Sequence, residues 1–173
     1  MKKSLALIFT VGMFMLIGCG GSGGSGGGKV SGETYSTELM KILVPKGWKS
    51  YPYYKPGETD PLPHTVGIHK GAKTTFDQMS TPGIVIKYNK DLRSATIPNK
   101  TWYEEAEDIK PFKLGNYEWA GFTAVSFSNP VALLWTTNAV EVFDVTIFLK
   151  MYGKEIALED SDVQAILASI SIP

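Results

Sequence analysis

The sequence predicts an α+β fold, an antiparallel sheet flanked by helices, and three observations carry that prediction. Phe143, Val145, Ile147, Leu149 and Met151 form an unbroken apolar row at every second position, with Asp144, Thr146 and Lys150 pointing the other way, the period-two pattern of a half-buried strand. Gly115-Asn116 lies between two strand-like runs, where a two-residue hairpin turn belongs. Val163, Ile166, Leu167 and Ile170 recur at i, i+3, i+4 and i+7, so a closing helix has one stripe to bury. Strands in hairpins followed by an amphipathic helix are the α+β order, helices packed on an antiparallel sheet.

Residues 35–48 read as a strand, with Leu39, Lys41 and Leu43 on one face and Met40, Ile42 and Val44 on the other, until Pro45 and Gly47 break it. Both faces are partly apolar, which suits a covered sheet. Residues 51–64 carry Pro52, Pro56, Gly57, Pro61 and Pro63 and read as a loop. Two short strands follow at 65–69 and 83–89, flanking a helical turn at 74–80. Residues 99–109 are expected to form a helix: Thr101 and Glu104 have capping-box spacing, and Trp102, Ala106 and Ile109 share one face. From Lys110 the pattern turns to strands, PFKL and YEWAGFTAVSF joined at Gly115-Asn116, then a second hairpin over 131–151 whose last strand belongs at the sheet centre. In the closing helix Ser161 and Gln164 have the spacing of another capping box.

Charge is balanced over the 173 residues, 17 basic against 17 acidic. Loss of Lys2 and Lys3 with a signal peptide leaves 15 basic residues and a net charge of −2, a poor match to nucleic-acid phosphates. No nucleic-acid partner is expected. The single cysteine, Cys19, allows no disulfide within the chain, so the exported part must be held by its core. Residues 30–173 suffice for one globular domain and contain no internal repeat.

The first 29 residues state where the protein goes. Met1-Lys2-Lys3, the apolar run from Leu5 to Ile17 and a small residue before Cys19 are the n-region, h-region and cleavage site of a secretory signal, residues 1–18. The run is too short to span a bilayer and is followed by glycines instead of a basic stop-transfer cluster. Residues 19–29 then read as Cys19 and a flexible linker, whose nine Gly/Ser residues (20–28) span about 16 Å r.m.s.. A phosphate cradle in this tract would need a strand before it and a helix after it, and neither is present.

Leu16-Ile17-Gly18-Cys19 resembles the lipobox of bacterial lipoproteins. The resemblance implies cleavage before Cys19, a diacylglyceryl thioether on its sulfur and acyl chains in the bilayer; two chains hold where one gives only marginal attachment. VPKGW at 44–48, the meander through Met151 and SDVQAILASISIP at 161–173 resemble the PsbP-like superfamily, which implies an α/β/α sandwich over nearly all of the mature chain. No functional residue is carried over from it.

The candidate sites are few. His64 and His69, five apart, fall on opposite sides of a strand and diverge on a helix, so no metal site is expected and no cofactor either. Residues 67–74 (GIHKGAKT) come close to a P-loop, but Ala72 stands where its second glycine belongs. Glu104, Glu105, Glu107 and Asp108 could pair carboxylates for acid–base work, with a solvated helix face as the plainer reading. No Gly-x-Ser-x-Gly elbow is present, and no catalytic residue is assigned. Trp48, Tyr51, Tyr53 and Tyr54 form the candidate binding surface: aromatic faces in a proline-stiffened segment lose little entropy on binding, though Trp48 capping the core and tyrosines packing the loop down explain them too. The expectation is a lipoprotein on the extracytoplasmic face of the cell membrane, or of an outer membrane in a Gram-negative cell. It would act as a binding or accessory module for an envelope protein, peptide or glycan. An envelope hydrolase is the alternative, and a purely structural envelope protein a further one.

Overall fold

The computed structural model describes residues 30–90, 97–138 and 142–173. The expected signal peptide, Cys19 and the expected linker lie outside them.

Residues 35–48 do not make one strand. The Thr37 hydroxyl accepts from the N–H groups of Leu39 and Met40 (3.1 and 3.2 Å) and donates to Pro63 O (2.8 Å), which closes a turn in mid-run. The run therefore folds back as a hairpin, β1 (Gly32–Ser36) on β2 (Lys41–Pro45). The expected alternation survives in β2 and the residue before it: Met40, Ile42 and Val44 are buried and Lys41 is exposed.

The expected loop at 51–64 is also a hairpin. β3 (Trp48–Tyr54) pairs with β4 (Pro61–Lys70), leaving residues 55–60 as the connection. Pro52 is tolerated because β3 is a sheet edge and Pro61 because it opens its strand, two positions where a missing N–H costs little, while Pro63 has no registered partner on either side. A 3₁₀ turn (Thr75–Met79) leads to β5 (Gly83–Asn89), matching the turn and strand read from the sequence.

The expected helix at 99–109 is the largest departure. Only Lys100–Trp102 coil, as a 3₁₀ turn; β6 (Glu104–Leu114) follows and pairs with β7 (Tyr117–Ser126) across Gly115-Asn116. β8 (Asn129–Thr136) and β9 (Val142–Phe148) complete a seven-stranded antiparallel sheet, ordered β3-β4-β5-β9-β8-β7-β6. β9 is its fourth and central strand, as its pattern predicts. β10 (Lys150–Met151) and β11 (Lys154–Glu155) form a small hairpin, and α1 (Ser161–Ser169) closes the chain.

The helix expected from the apolar stripe is present, but its cap differs. Asp160 is the N-cap residue, and the Gln164 side chain donates to Leu158 O (2.6 Å) instead of closing a box with Ser161. Helix α1 and the β1–β2 hairpin pack on one face of the sheet, where Val163, Ile166, Leu167 and Ile170 meet Met40, Ile42, Ile68, Ile86, Val145 and Trp119. The opposite face has no helix among the described residues and carries a smaller cluster around Phe122, Ala124, Val131 and Leu133. The α+β sandwich with helices on both sides is thus corrected to a mostly β fold with one α-helix among the described residues, because the segment expected to form a helix at 99–109 is mostly an edge strand. No helix among the described residues is long and apolar enough to cross a membrane.

Candidate functional site

The site begins with two missing side chains. On the sheet face away from α1, His69 of β4 lies opposite Gly83 of β5 in register, and Gly67 sits two residues before it. A Cβ on Gly83 would lie 2.4 Å from His69 Nδ1, and one on Gly67 would lie 3.0 Å from Nε2. The two glycines form the recess that lets the imidazole lie against the sheet.

His69 is 2% exposed. Its Nδ1 lies 3.4 Å from Thr81 O and donates to it, which leaves Nε2 as an acceptor with no partner among the described residues. Burial pushes the His69 pKa down, partly offset by the Thr81 carbonyl, so the ring is held neutral. Tyr51 packs edge-on against it, ring centroids 6.1 Å apart, and its buried hydroxyl also lacks a partner among the described residues. Burial raises the Tyr51 pKa, and the charge of Asp77 raises it further.

His69 is the one buried residue lining a cleft of about 620 Å³. Tyr53 and Tyr54 of β3 form one wall, Phe76 and Met79 of the 3₁₀ turn another, and Phe148 and Met151 a third. The volume falls in the range of small-ligand sites, and the walls are mainly apolar, with His69, Thr75 and Gln78 as the polar residues among them. The turn bearing Phe76 and Met79 is pinned by Asp77, whose carboxylate accepts from Lys73 N and Thr74 N, both at 2.7 Å. Those two bonds hold its carboxyl below the usual range. They also occupy the N–H groups that a P-loop would turn toward phosphate, so residues 67–74 are the end of a strand and a capped turn.

The four sequence-predicted aromatics do not share one surface. Tyr53 and Tyr54 line the cleft; Tyr51 is buried behind His69; Trp48 lies in the core on the other face, its Nε1–H donating to Asp162 Oδ2 at 2.9 Å. Cys19 lies outside the described residues. His64 is on β4 five residues from His69 and is not brought to it. Among the described residues no group of three His, Cys, Asp or Glu could hold a metal ion. Glu104, Glu105, Glu107 and Asp108 sit on β6, the far edge strand, where Asp108 pairs with Lys100 at 2.9 Å. Trp48 and Tyr51, expected on a binding surface, are buried, as is His69, which the sequence reading gave no role, and Phe76, Met79, Phe148 and Met151 are the lining residues it missed. The available signal was Gly67 and Gly83, glycines inside strand patterns, which mark a close approach.

No protein-family model matches the sequence, and no curated protein matches it. Among solved structures, a crystal structure from Bacteroides thetaiotaomicron aligns with a TM-score of 0.48 and 11% identity over 82% of this chain; the match spans 48% of that chain, about half its length. The solution structure of cyanobacterial PsbP (CyanoP) from Synechocystis sp. PCC 6803 aligns with a TM-score of 0.46 and 13% identity, over 87% of this chain and 98% of that one. The likeness to PsbP is weak.

Proposed function

We propose that the protein is a lipoprotein of the cell envelope, held at the membrane through Cys19, and that it works as a binding module whose site is the His69 cleft. The ligand is an apolar or aromatic group ending in one hydrogen-bond donor. One observation carries this reading: His69, whose buried Nε2 has no hydrogen-bond partner among the described residues, lines a cleft with mainly apolar walls. Such an orphan costs about 1–3 kcal/mol. A ligand donor recovers that cost. Tyr53 and Tyr54 would flank the ligand body on one side and the turn bearing Phe76 and Met79 on another.

The same histidine supports a second reading, an envelope hydrolase with His69 as general base. The lining argues against it. Among the described residues it contains no carboxylate to orient the ring, and His69 Nδ1 faces a backbone carbonyl instead.

The test uses para-butylphenol as probe, with butylbenzene as the same body lacking the donor, and follows the His69 ring nitrogens by NMR. The phenol is expected to move the Nε2 resonance and to bind several-fold more tightly than butylbenzene, the worth of one net hydrogen bond of about 1 kcal/mol. Tyr53→Ala with Tyr54→Ala is expected to weaken binding roughly tenfold, each ring contributing about 0.5–1.5 kcal/mol, while the melting temperature holds. Equal binding of the two probes with Nε2 unmoved would reject the site.

A further inference from the structure

Nine large apolar side chains are exposed among the described residues, and they are not scattered. The five most exposed are Phe127 at 97%, Phe76 at 87%, Tyr152 at 82%, Trp102 at 78% and Met79 at 75%; the other four reach at most 52%. All five lie at one end of the sheet. The rung Lys49–His69–Gly83–Phe148–Val131–Ala124 crosses six strands near that end. Beyond the rung lie the turn with Phe76 and Met79, the tip of the β10–β11 hairpin with Tyr152, the β7–β8 turn with Phe127, and the 3₁₀ turn with Trp102 that precedes β6.

Two of these aromatics stand where a side chain is penalised. Phe127 and Ser128 have φ of 48° and 64°, and Tyr152 and Gly153 have φ of 46° and 79°, the left-handed pair of a two-residue hairpin turn. Asn, Asp or Gly is the usual occupant there. A phenyl ring adds steric cost at such a position, and being solvent-exposed it returns no burial to the fold.

The described chain also starts at this end. Ser31 O accepts from Lys46 N at 2.9 Å, Gly32 pairs with Pro45, and Gly71 N donates to Gly47 O at 2.8 Å, so Val30 lies at the same end of the sheet as the turn that carries Phe76. The 29 residues before Val30 read from the sequence as a signal peptide, a lipidated Cys19 and a linker with an r.m.s. reach of about 16 Å. That is half the length of the ten-residue strand β7, about 33 Å at the usual rise. A tether this short keeps the bilayer next to the end it leaves from.

We propose that this end is a lipid-docking surface, with Phe127, Tyr152, Trp102, Phe76 and Met79 entering the headgroup region of the membrane to which Cys19 is attached. The proposal rests on the lipid-anchor reading and adds an orientation to it. Aromatic rings favour the membrane interface, where one side is apolar and the other wet. The cleft that shares Phe76 and Met79 then opens beside the lipid surface.

The test uses the native lipidated chain in vesicles of phosphatidylethanolamine and phosphatidylglycerol. Single cysteines are introduced as Phe127→Cys, Tyr152→Cys and, at the opposite end in the β6–β7 turn, Asn116→Cys, and each takes one nitroxide because an acylated Cys19 has no thiol. Oxygen partitions into lipid and a chelated nickel complex stays in water. The spectra are expected to show labels at 127 and 152 shielded from nickel and reached by oxygen several-fold more than the label at 116. Equal nickel access at all three positions on vesicle-bound protein would overturn the proposal and leave the anchor standing. Shielding at 127 and 152 in native envelopes but not on lipid vesicles would also overturn it, in favour of a protein partner. Labelling of Cys19 in the parent chain, with no sedimentation on vesicles, would overturn anchor and orientation together.

Discussion

His69 is kept neutral by burial, and the sign of its effect on stability follows from that. Its pKa in the folded protein lies below the ordinary value of 6.5, so between the two values the unfolded chain binds the proton and the native ring does not. Stability from this group is complete above about pH 6.5 and falls as the pH drops toward the native value. Urea titrations across that window are expected to show the fall in the parent chain and a flatter profile in His69→Gln; parallel profiles would mean the ring titrates freely. Binding of a donor ligand should decline over the same acid range, because a protonated Nε2 no longer accepts. The recess around the ring gives a second expectation at this scale. Gly83→Ala places a methyl 2.4 Å from Nδ1 and should destabilise by about 1–3 kcal/mol through overpacking, with much of the loss recovered when His69→Ala is added. Simple additivity in denaturant midpoints would mean that the two positions do not touch. Tyr53 and Tyr54 were visible in the sequence as aromatics in a stiffened segment. His69 was not, since its burial depends on a glycine fourteen residues away across a strand pairing.

At the scale of elements, the strongest periodicities carried through and the disguised ones did not. α1 follows its apolar row, β9 follows its own as far as Ile147 before the strand stops at Phe148 and leaves Met151 to β10, and the Gly115-Asn116 turn joins Leu114 to Tyr117 as its dipeptide requires. β6 was hidden by its own irregularity. Register shifts between Glu104 and Glu107 and between Ile109 and Phe112, with Glu105 at φ 51°, break the period-two pattern and leave Trp102, Ala106 and Ile109 at a helical spacing by coincidence. β3 was hidden by its prolines, which only an edge strand tolerates. The helix is where burial decides stability: Ile166 is fully buried between α1 and the sheet, and Ile166→Ala is expected to cost about 2–5 kcal/mol. Phe76→Ser, at an 87% exposed ring, should change stability by no more than about 0.5 kcal/mol while weakening the cleft. Comparable losses for both in thermal unfolding would show that the 3₁₀ turn belongs to the core.

Over the whole molecule the sheet is asymmetric in two directions. One face is covered by α1 and the β1–β2 hairpin, while the other carries the cleft; one end gathers the exposed aromatics, while the other ends in the β6–β7 turn against Ala168. Both side edges are interrupted, β3 by Pro52 and a register shift, β6 by Pro111 and two more, features that make an edge a poorer template for strand pairing. None of this asymmetry is readable from local pattern, because it arises from which strands become neighbours.

The β1–β2 hairpin has a mechanical consequence. β1 starts at the end where the chain emerges and runs away from it, while β2 is fastened to the body by Leu43 N to Ser169 Oγ and by two backbone bonds between Lys41 and Ser171. A force pulling Val30 outward from that end acts lengthwise along β1. Its five registered pairs are then loaded together in shear, and they do not peel one after another. The first described strand is thus seated to resist traction applied at Val30 along its own axis.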